Sequence, residues 1–520
     1  MMHQCQTRQT STDYARTNSK MIKWGITGMS HDASIAVFSP DGLEFAAHAE
    51  RYSRIKNDRV VDHRMLRDAL EFGKPDQIYW YERPWLKKTR QLYAGQYRLL
   101  GKQTPWDHLM DRVGSATSPF VIPRIRYTTH HLSHAAAGYY TSPFEDATVV
   151  VLDSIGEWET FTIWEGTGFK LKKRYSQNYP HSVGIWYSAM TQRIGLKPQE
   201  HEYILMGMAA IGDPHRLYTA VVEDFVEKFP NKEDPSVRFK LNLHRGCRGW
   251  RPDLNSVQDL ADIAAAVQLV YENILTGILH HTSSKYTSKN LVLMGGCALN
   301  CVANSLAPAR YDDVWIMPNP GDAGSAIGCV LAHTKERFDM THCYTGHNIE
   351  GEYPVEQILQ RLDKDKITAV AWGRAEFGPR ALGARSILAD ARGADVKDRV
   401  NAIKQREAFR PFAPMILEEH ADEYFEMPVK RSPFMQFVAK CKRPEEFPAI
   451  VHYDGTSRVQ TVGLETGPVR DMLERWYKRT GSPMLLNTSL NVKGEPLVNS
   501  RADAVRWSEI NGVDICLPVC

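Results

Sequence analysis

Two stretches far apart in the chain share one plan. In KWGITGMSHDASIAVFSPDGLEFAAHAE an apolar run meets a turn carrying Gly28, Ser30, His31 and Asp32. A second strand, ASIAVFS, returns, and PDG turns into a third. In DATVVVLDSIGEWETFTIWEGTGFKL the strand TVVVLD ends at Asp153, a turn carries Ser154 and Gly156, and ETFTIWEG returns. Apolar runs broken by Gly, Asp and Pro turns are hairpin signals. The recurrence of the unit is a weak internal repeat, which predicts two similar α/β lobes.

Farther along, KNLVLMGGCALNCVANSLAPA reads as a buried strand, two glycines and a helix. YDDVWIMPNPGDAGSAIGCVLAHT reads as strand, turn and Gly-rich helix. VQDLADIAAAVQLVYENILTGILHHTSSKY has apolar residues at helical spacing and predicts a long amphipathic helix. A boundary falls near HCYTGHNIEGEYP, after which Arg374, Arg380, Arg385, Arg392, Arg399, Arg406 and Arg410 crowd around short strands. The expected organisation is a polar, disordered extension over 1–21, one domain over 22–350 and a second over 351–520. The 520 residues suffice for two domains. No low-complexity linker separates them, so they are expected to pack together.

The formal net charge of +3 is too small to make nucleic acid or membrane an obligate partner. No apolar run approaches the ~20 residues that span a bilayer. The nine cysteines form no CxxC pairs, and Cys297 and Cys301 have no second ligand pair at zinc-site spacing. Reduced thiols in a cytoplasmic protein are the expectation.

Three groups of residues could carry chemistry. Glycine turns at Gly28 to His31, at Ser154 to Gly156 and at Gly295–Gly296 offer fixed backbone N–H donors to phosphate oxygens. GxxxxGK[ST] is absent and no GxGxxG follows the first strand, so a P-loop or Rossmann site is not expected. Second, TTHHLSHAAAGYY places His130 and His134 one helical turn apart, while Asp153 and Asp322 fall at strand-to-turn junctions. Together they make an N/O set suited to Fe, Mn or Zn. Taken singly, the carboxylates are caps and the histidines core groups. Third, Lys404, Arg406, Arg410 and Arg458 join Asn487, Ser489 and Asn491 in a set suited to a phosphate-bearing, acyl-like substrate.

The motifs taken in order resemble one family, the NodU/CmcH carbamoyltransferases. They are SHDAS, ERYSRIKND, HHLSHAAAG, LDSIGEW, LMGMAAIGD, LVLMGGCALNCVAN, NPGDAGSAIG, EFGPRALGARSILAD, FRPFAP, SRVQTV and LLNTSLNVKGEP. The resemblance runs from about Lys23 to the C-terminus. It implies an α/β enzyme with an N-terminal TsaD-like, actin-like ATPase domain (a duplicated RNase H-like fold) and a C-terminal YrdC-like domain. The implied reaction makes carbamoyl-adenylate from carbamoyl phosphate and ATP, then moves the carbamoyl group to a hydroxyl of a small-molecule acceptor. The implied metal ligands are His130, His134, Asp153 and Asp322, with Fe first and Mn, Mg or Zn possible. Lys56, Gly295, Gly296 and Asn300 would contact nucleotide, and His31 would stand beside the acceptor hydroxyl as general base. Arg380, Lys404, Arg406, Arg410, Arg458, Asn487, Ser489 and Asn491 would line the adenylate site, with Lys404 and Arg410 catalytic. A homodimer is the family-level expectation. Two departures stand out: Ser154 replaces a glycine of DGxGEW, and Ile204 replaces the lysine before VMGLA.

Other readings differ in class. A threonylcarbamoyl-type adenylate enzyme acting on tRNA would want a basic RNA surface that the modest charge does not favour, although a modified nucleotide remains a conceivable acceptor. An actin-like ATP switch leaves the basic half unexplained. A metallopeptidase would need a glutamate of HExxH, and here the run is His-His-Leu-Ser-His.

Overall fold

The computed structural model describes residues 21–97, 103–114, 120–407, 409–410 and 412–519. The expected extension therefore lies, up to residue 20, outside the described residues. The first sheet contains β1 (Lys23–Thr27), β2 (Ser34–Ser39), β3 (Gly42–His48), β4 (Gln77–Trp80) and β5 (Ile125–Tyr127) in the order β3-β2-β1-β4-β5. The second contains β6 (Asp146–Gly156), β7 (Glu159–Thr167), β8 (Lys170–Asn178), β9 (Asn290–Met294) and β10 (Asp313–Trp315) in the order β8-β7-β6-β9-β10. In each, three antiparallel strands are followed by two parallel additions. The hairpin repeat is thus a repeat of whole sheets.

Five helices matter for the site: α1 (Ala49–Ser53), α2 (His130–Tyr140), α3 (Glu202–Met208), α4 (Val257–Lys285) and α5 (Ser325–Thr334). Small residues on α2 and α5 let the two helices share one core with residues of both sheets. A Cβ on Gly328 of α5 would lie 1.8 Å from the Ser133 carbonyl of α2, and one on Gly25 of β1 would lie 1.8 Å from the Ala326 carbonyl. Backbone cannot yield as a side-chain tip can, so Gly328→Ala is expected to cost about 1–3 kcal/mol. An unchanged urea midpoint would contradict that packing.

Three sequence expectations change. The strand ending at Asp153 runs on to Gly156, and its register against β7 shifts between Leu152 and Gly156, so Asp153 sits at an irregularity inside a strand. The helix after Gly295–Gly296 is a short 3-10 turn followed by Cys301–Asn304. The long helix α4 is buried all round over Ala261 to Gln268, because neighbours cover it on every side. It is long and apolar enough to cross a membrane, but 67% of its apolar window is buried inside the protein, as in a core helix.

The arginine-rich half forms a six-stranded sheet. Its strands are β12 (Ile367–Ala371), β14 (Arg385–Ala389), β15 (Ala413–Leu417), β16 (Gln460–Val462), β17 (Met484–Ser489) and β18 (Ile515–Cys516), ordered β16-β15-β17-β14-β12-β18. Two further strands, β11 (Tyr344–Ile349) and β13 (Gly373–Glu376), pair with each other across the boundary expected at 350, so β11 is grouped with the arginine-rich half. The seam with the first half is sewn side chain to backbone. Arg51 donates to the Gly378 carbonyl at 2.7 Å, Arg374 to the Glu44 carbonyl at 2.5 Å and Thr345 to the Ala46 carbonyl at 3.1 Å. Arg54 donates to the Pro496 carbonyl at 2.8 Å and also to that of Leu497. Cysteines among the described residues are free thiols.

Candidate active site

Helical spacing puts His130 and His134 on one face of α2, and the fold brings Asp153 from β6 and Asp322 from the turn before α5 onto the same point. One ligand atom from each falls within 4.8 Å of the others, and all four residues are buried. His130 Nε2 lies 3.0 Å from His134 Nε2, 3.3 Å from Asp322 Oδ1 and 3.4 Å from Asp153 Oδ2. Burial opposes charge on His130, but Asp322 and Asp153 outweigh it and hold its pKa well above the usual histidine range. Two imidazole nitrogens facing each other between two carboxylates are a donor set that fits a divalent cation. Gly156 makes room for it, since a Cβ there would sit 2.2 Å from the His130 ring. His131 is turned away: its Nδ1 meets Thr162 Oγ1 at 3.0 Å, and burial, then the charge of His130, keeps it neutral.

Asp322 divides its oxygens, Oδ1 facing His130 and His134 and Oδ2 facing His31 Nε2 at 3.5 Å. It is the first residue of a 3-10 turn whose cap position is Gly321, so Asp322 is not a helix N-cap. The pKa of His31 rises to about 9 because Asp322 and Asp32 outweigh burial. Its side chain is 40% accessible, so solvent in the cavity screens part of that effect.

A cavity of about 420 Å³ runs from this cluster into the arginine-rich half and is lined from both halves. His31, Asp153 and Asp322 line one end; Lys56, Gly296, Asn300, Arg380, Lys404, Arg406, Arg410, Arg458, Asn487, Ser489 and Asn491 line the rest. Gly295 does not. Its φ of +88° and the Leu152 carbonyl, 2.1 Å from where a Cβ would stand, give it a backbone role. The Gly296 N–H donates to Asp153 Oδ1 at 2.9 Å and so steadies the metal-facing carboxylate.

At the basic end Lys404 is 4% exposed. Its ammonium lies 2.5 Å from the Ser489 carbonyl, 3.1 Å from Ser489 Oγ, 3.1 Å from the Asn491 carbonyl and 2.8 Å from Asn491 Oδ1. Burial, then Arg406, Arg410 and Lys56, pushes its pKa well below the lysine range. Burial and Arg458 bring Arg380 down to about 9. Arg406 stacks on Phe412 with 4.0 Å between guanidinium carbon and ring centre. Asn487 donates to Gln460 Oε1 and the Ala381 carbonyl. Crowded, desolvated cations of this kind favour a polyanionic guest.

Both departures from the family pattern are absorbed. Ser154 is absent from the positive-φ positions, so a side chain is tolerated there, and it lines the cavity. Ile204 is buried at 3% exposure, whereas its neighbour Tyr203 faces the cavity with Lys56 5.7 Å and Arg410 5.0 Å from its ring centre. Tyr203 carried no sequence signal, because the two cations meet it from distant segments.

Two family models match the chain, "Carbamoyltransferase N-terminus" over residues 79–331 and "Carbamoyltransferase C-terminus" over residues 359–517. The nodulation protein NolNO of Sinorhizobium fredii is 34% identical over 532 residues, covering 91% of this chain and 76% of that protein. The chain belongs to the carbamoyltransferase family. Nodulation protein U of the same species is 27% identical and covers 93% of this chain and 96% of its own. Among solved structures, HypF of T. kodakarensis matches 61% of this chain and 48% of its own at 12% identity and a TM-score of 0.34, too loose a likeness to bear on the fold. In this carbamoyltransferase both matched regions line the cavity: the first contributes Asp153 and Asp322, the second the cluster from Arg380 to Asn491.

Proposed function

We propose that this carbamoyltransferase makes carbamoyl-adenylate from carbamoyl phosphate and ATP at the basic end of the cavity and transfers the carbamoyl group to a hydroxyl of a small acceptor at the His31 end. The observation that carries this reading is the continuity of the cavity, which supports passage of a water-sensitive adenylate between two chemically opposite ends. The paired sheets support an actin-like, duplicated RNase H-like lobe, and the six-stranded sheet is read as the YrdC-like domain.

In this scheme water cleaves carbamoyl phosphate to carbamate and phosphate, and the carbamate oxygen attacks the α-phosphorus of ATP as pyrophosphate leaves. Arg380, Arg410 and Arg458 hold the phosphate charge, while Lys404 braces the Ser489–Asn491 loop against it. The acceptor hydroxyl then attacks the carbamoyl carbon, AMP leaves, and His31 Nε2 takes the hydroxyl proton in the neutral fraction of the ring, which grows toward its pKa of about 9. His130, His134, Asp153 and Asp322 would hold a divalent ion, which supplies fixed positive charge beside the phosphate and hydroxyl oxygens. Two nitrogen donors favour Fe, Mn or Zn over Mg, which prefers oxygen.

The test needs no acceptor. Purified protein is incubated with ATP, carbamoyl phosphate and Fe, Mn or Mg, and pyrophosphate and carbamoyl-adenylate are followed by mass spectrometry. No ATP consumption and no adenylate would sink the reading. In the same assay His31→Ala is expected to form adenylate at the wild-type rate, because His31 lines the other end. Loss of adenylation in that variant would contradict the division of labour.

A further inference from the structure

His31 is not alone at its end of the cavity. His31 Nδ1 lies 2.8 Å from Asp32 Oδ2, and the other oxygen of Asp32 lies 3.1 Å from His48 Nε2. The His48 contact is angled and ionic in character, without the alignment of a hydrogen bond. Beyond it, His48 Nδ1 is 3.8 Å from Glu50 Oε1, and Glu50 Oε2 accepts the Asn57 N–H at 3.1 Å. His31, Asp32, His48, Glu50 and Asn57 all line the cavity.

The backbone is bent to build this row. Asp32 has φ +55°, a left-handed conformation that Asp tolerates better than most residues. Its carbonyl accepts from Thr27 Oγ1 at 2.8 Å and its N–H donates to the Asn57 carbonyl at 3.3 Å. His48 occupies the N-cap position of α1, yet its side chain makes no cap bond there and turns to Asp32 instead.

We propose that Asp32 and His48 are positioning residues for the transfer step: Asp32 holds the proton of His31 on Nδ1 and leaves Nε2 facing the acceptor, while His48 fixes Asp32. A carboxylate only accepts, and Asp32 Oδ2 lies 2.8 Å from Nδ1 whereas Asp322 Oδ2 lies 3.5 Å from Nε2, so in neutral imidazole the hydrogen goes to Nδ1 and Nε2 has the free lone pair. A wrong tautomer at such a base is costly even when the geometry is intact. The inference rests on the reading of His31 as the group that takes the acceptor's proton.

The decisive measurement is the proton NMR spectrum of the full-length protein, downfield of the backbone amides, where an imidazole N–H held by a carboxylate resonates. The His31 signal is identified by its loss in His31→Ala. It is expected to vanish in Asp32→Asn, to shift or broaden in His48→Leu, and to return in His48→Gln, whose amide nitrogen can take the place of His48 Nε2 beside Asp32. Recovery in the glutamine variant separates positioning from a general packing defect. Absence of the signal from the wild type, or its persistence unchanged in Asp32→Asn or His48→Leu, overturns the relay. Adenylate formation is measured on the same samples. A wild-type protein that makes none refutes the functional reading, while the downfield signal still decides the relay.

Discussion

Lys404→Ala is expected to abolish carbamoyl-adenylate formation while leaving the protein folded. The ammonium has three hydrogens and four oxygens within 3.1 Å, all from Ser489 and Asn491. It therefore works as the brace of a loop that lines the cavity, and the alanine variant loses both brace and charge. Charge-assisted hydrogen bonds contribute about 1.5–3 kcal/mol each, so two of them account for about 10²–10⁴-fold in rate. Folding survives because the change also relieves repulsion from Arg406, Arg410 and Lys56. Lys404→Arg is expected not to rescue, since a planar fork cannot replace a compact ammonium among four oxygens. Adenylation by the alanine variant within tenfold of wild type (about 1.4 kcal/mol) would refute this role.

Asp322→Ala is expected to strip the protein of metal. Asp322 alone faces His130, His134 and His31 at once, and it is buried. Outer partners of metal ligands already command about 10–100-fold in affinity, and a ligand itself commands more. Metal analysis after dialysis is the readout, and a wild-type metal content in the variant would exclude the four-residue cluster as the site. Loading of the wild type carries a pH sign. His130 is held protonated above the usual histidine range by Asp322 and Asp153, so an incoming ion must displace that proton and binding strengthens as pH rises through the raised pKa.

The sequence was legible where chemistry follows local spacing. The four-residue interval of His130 and His134 specifies one helical face, and the strand patterns specify the paired hairpins. It was misleading at Asp153, because the register shift that carries β6 on to Gly156 is set by the partner strand. The amphipathic reading of α4 holds from Tyr271 onward, where Tyr271, Ile274, Leu275, Ile278 and Leu279 are buried at helical spacing, and fails over Ala261 to Gln268, which is buried all round. His48 escaped notice entirely: it ends a strand in AAHAERYS, and the pairing of His48 with Ser34 together with the left-handed turn at Asp32 brings the two side chains together. Ser154 and Ile204 looked like defects because a motif records residue types without recording which way they point.

The seam between the halves has a consequence for divergence. Arg51, Arg54, Arg374 and Thr345 all donate across it to main-chain carbonyls. A carbonyl survives any substitution of the side chain beside it. The accepting segments around Glu44 and Pro496 can therefore drift in sequence without loosening the joint, whereas Gly378, where a Cβ would lie 2.7 Å from the Pro318 carbonyl, cannot. The constraint falls on the donor side chains, these four together with Gln436 to the Ile316 carbonyl and Ser305 to that of Val438, and spares the residue types of most segments that accept from them.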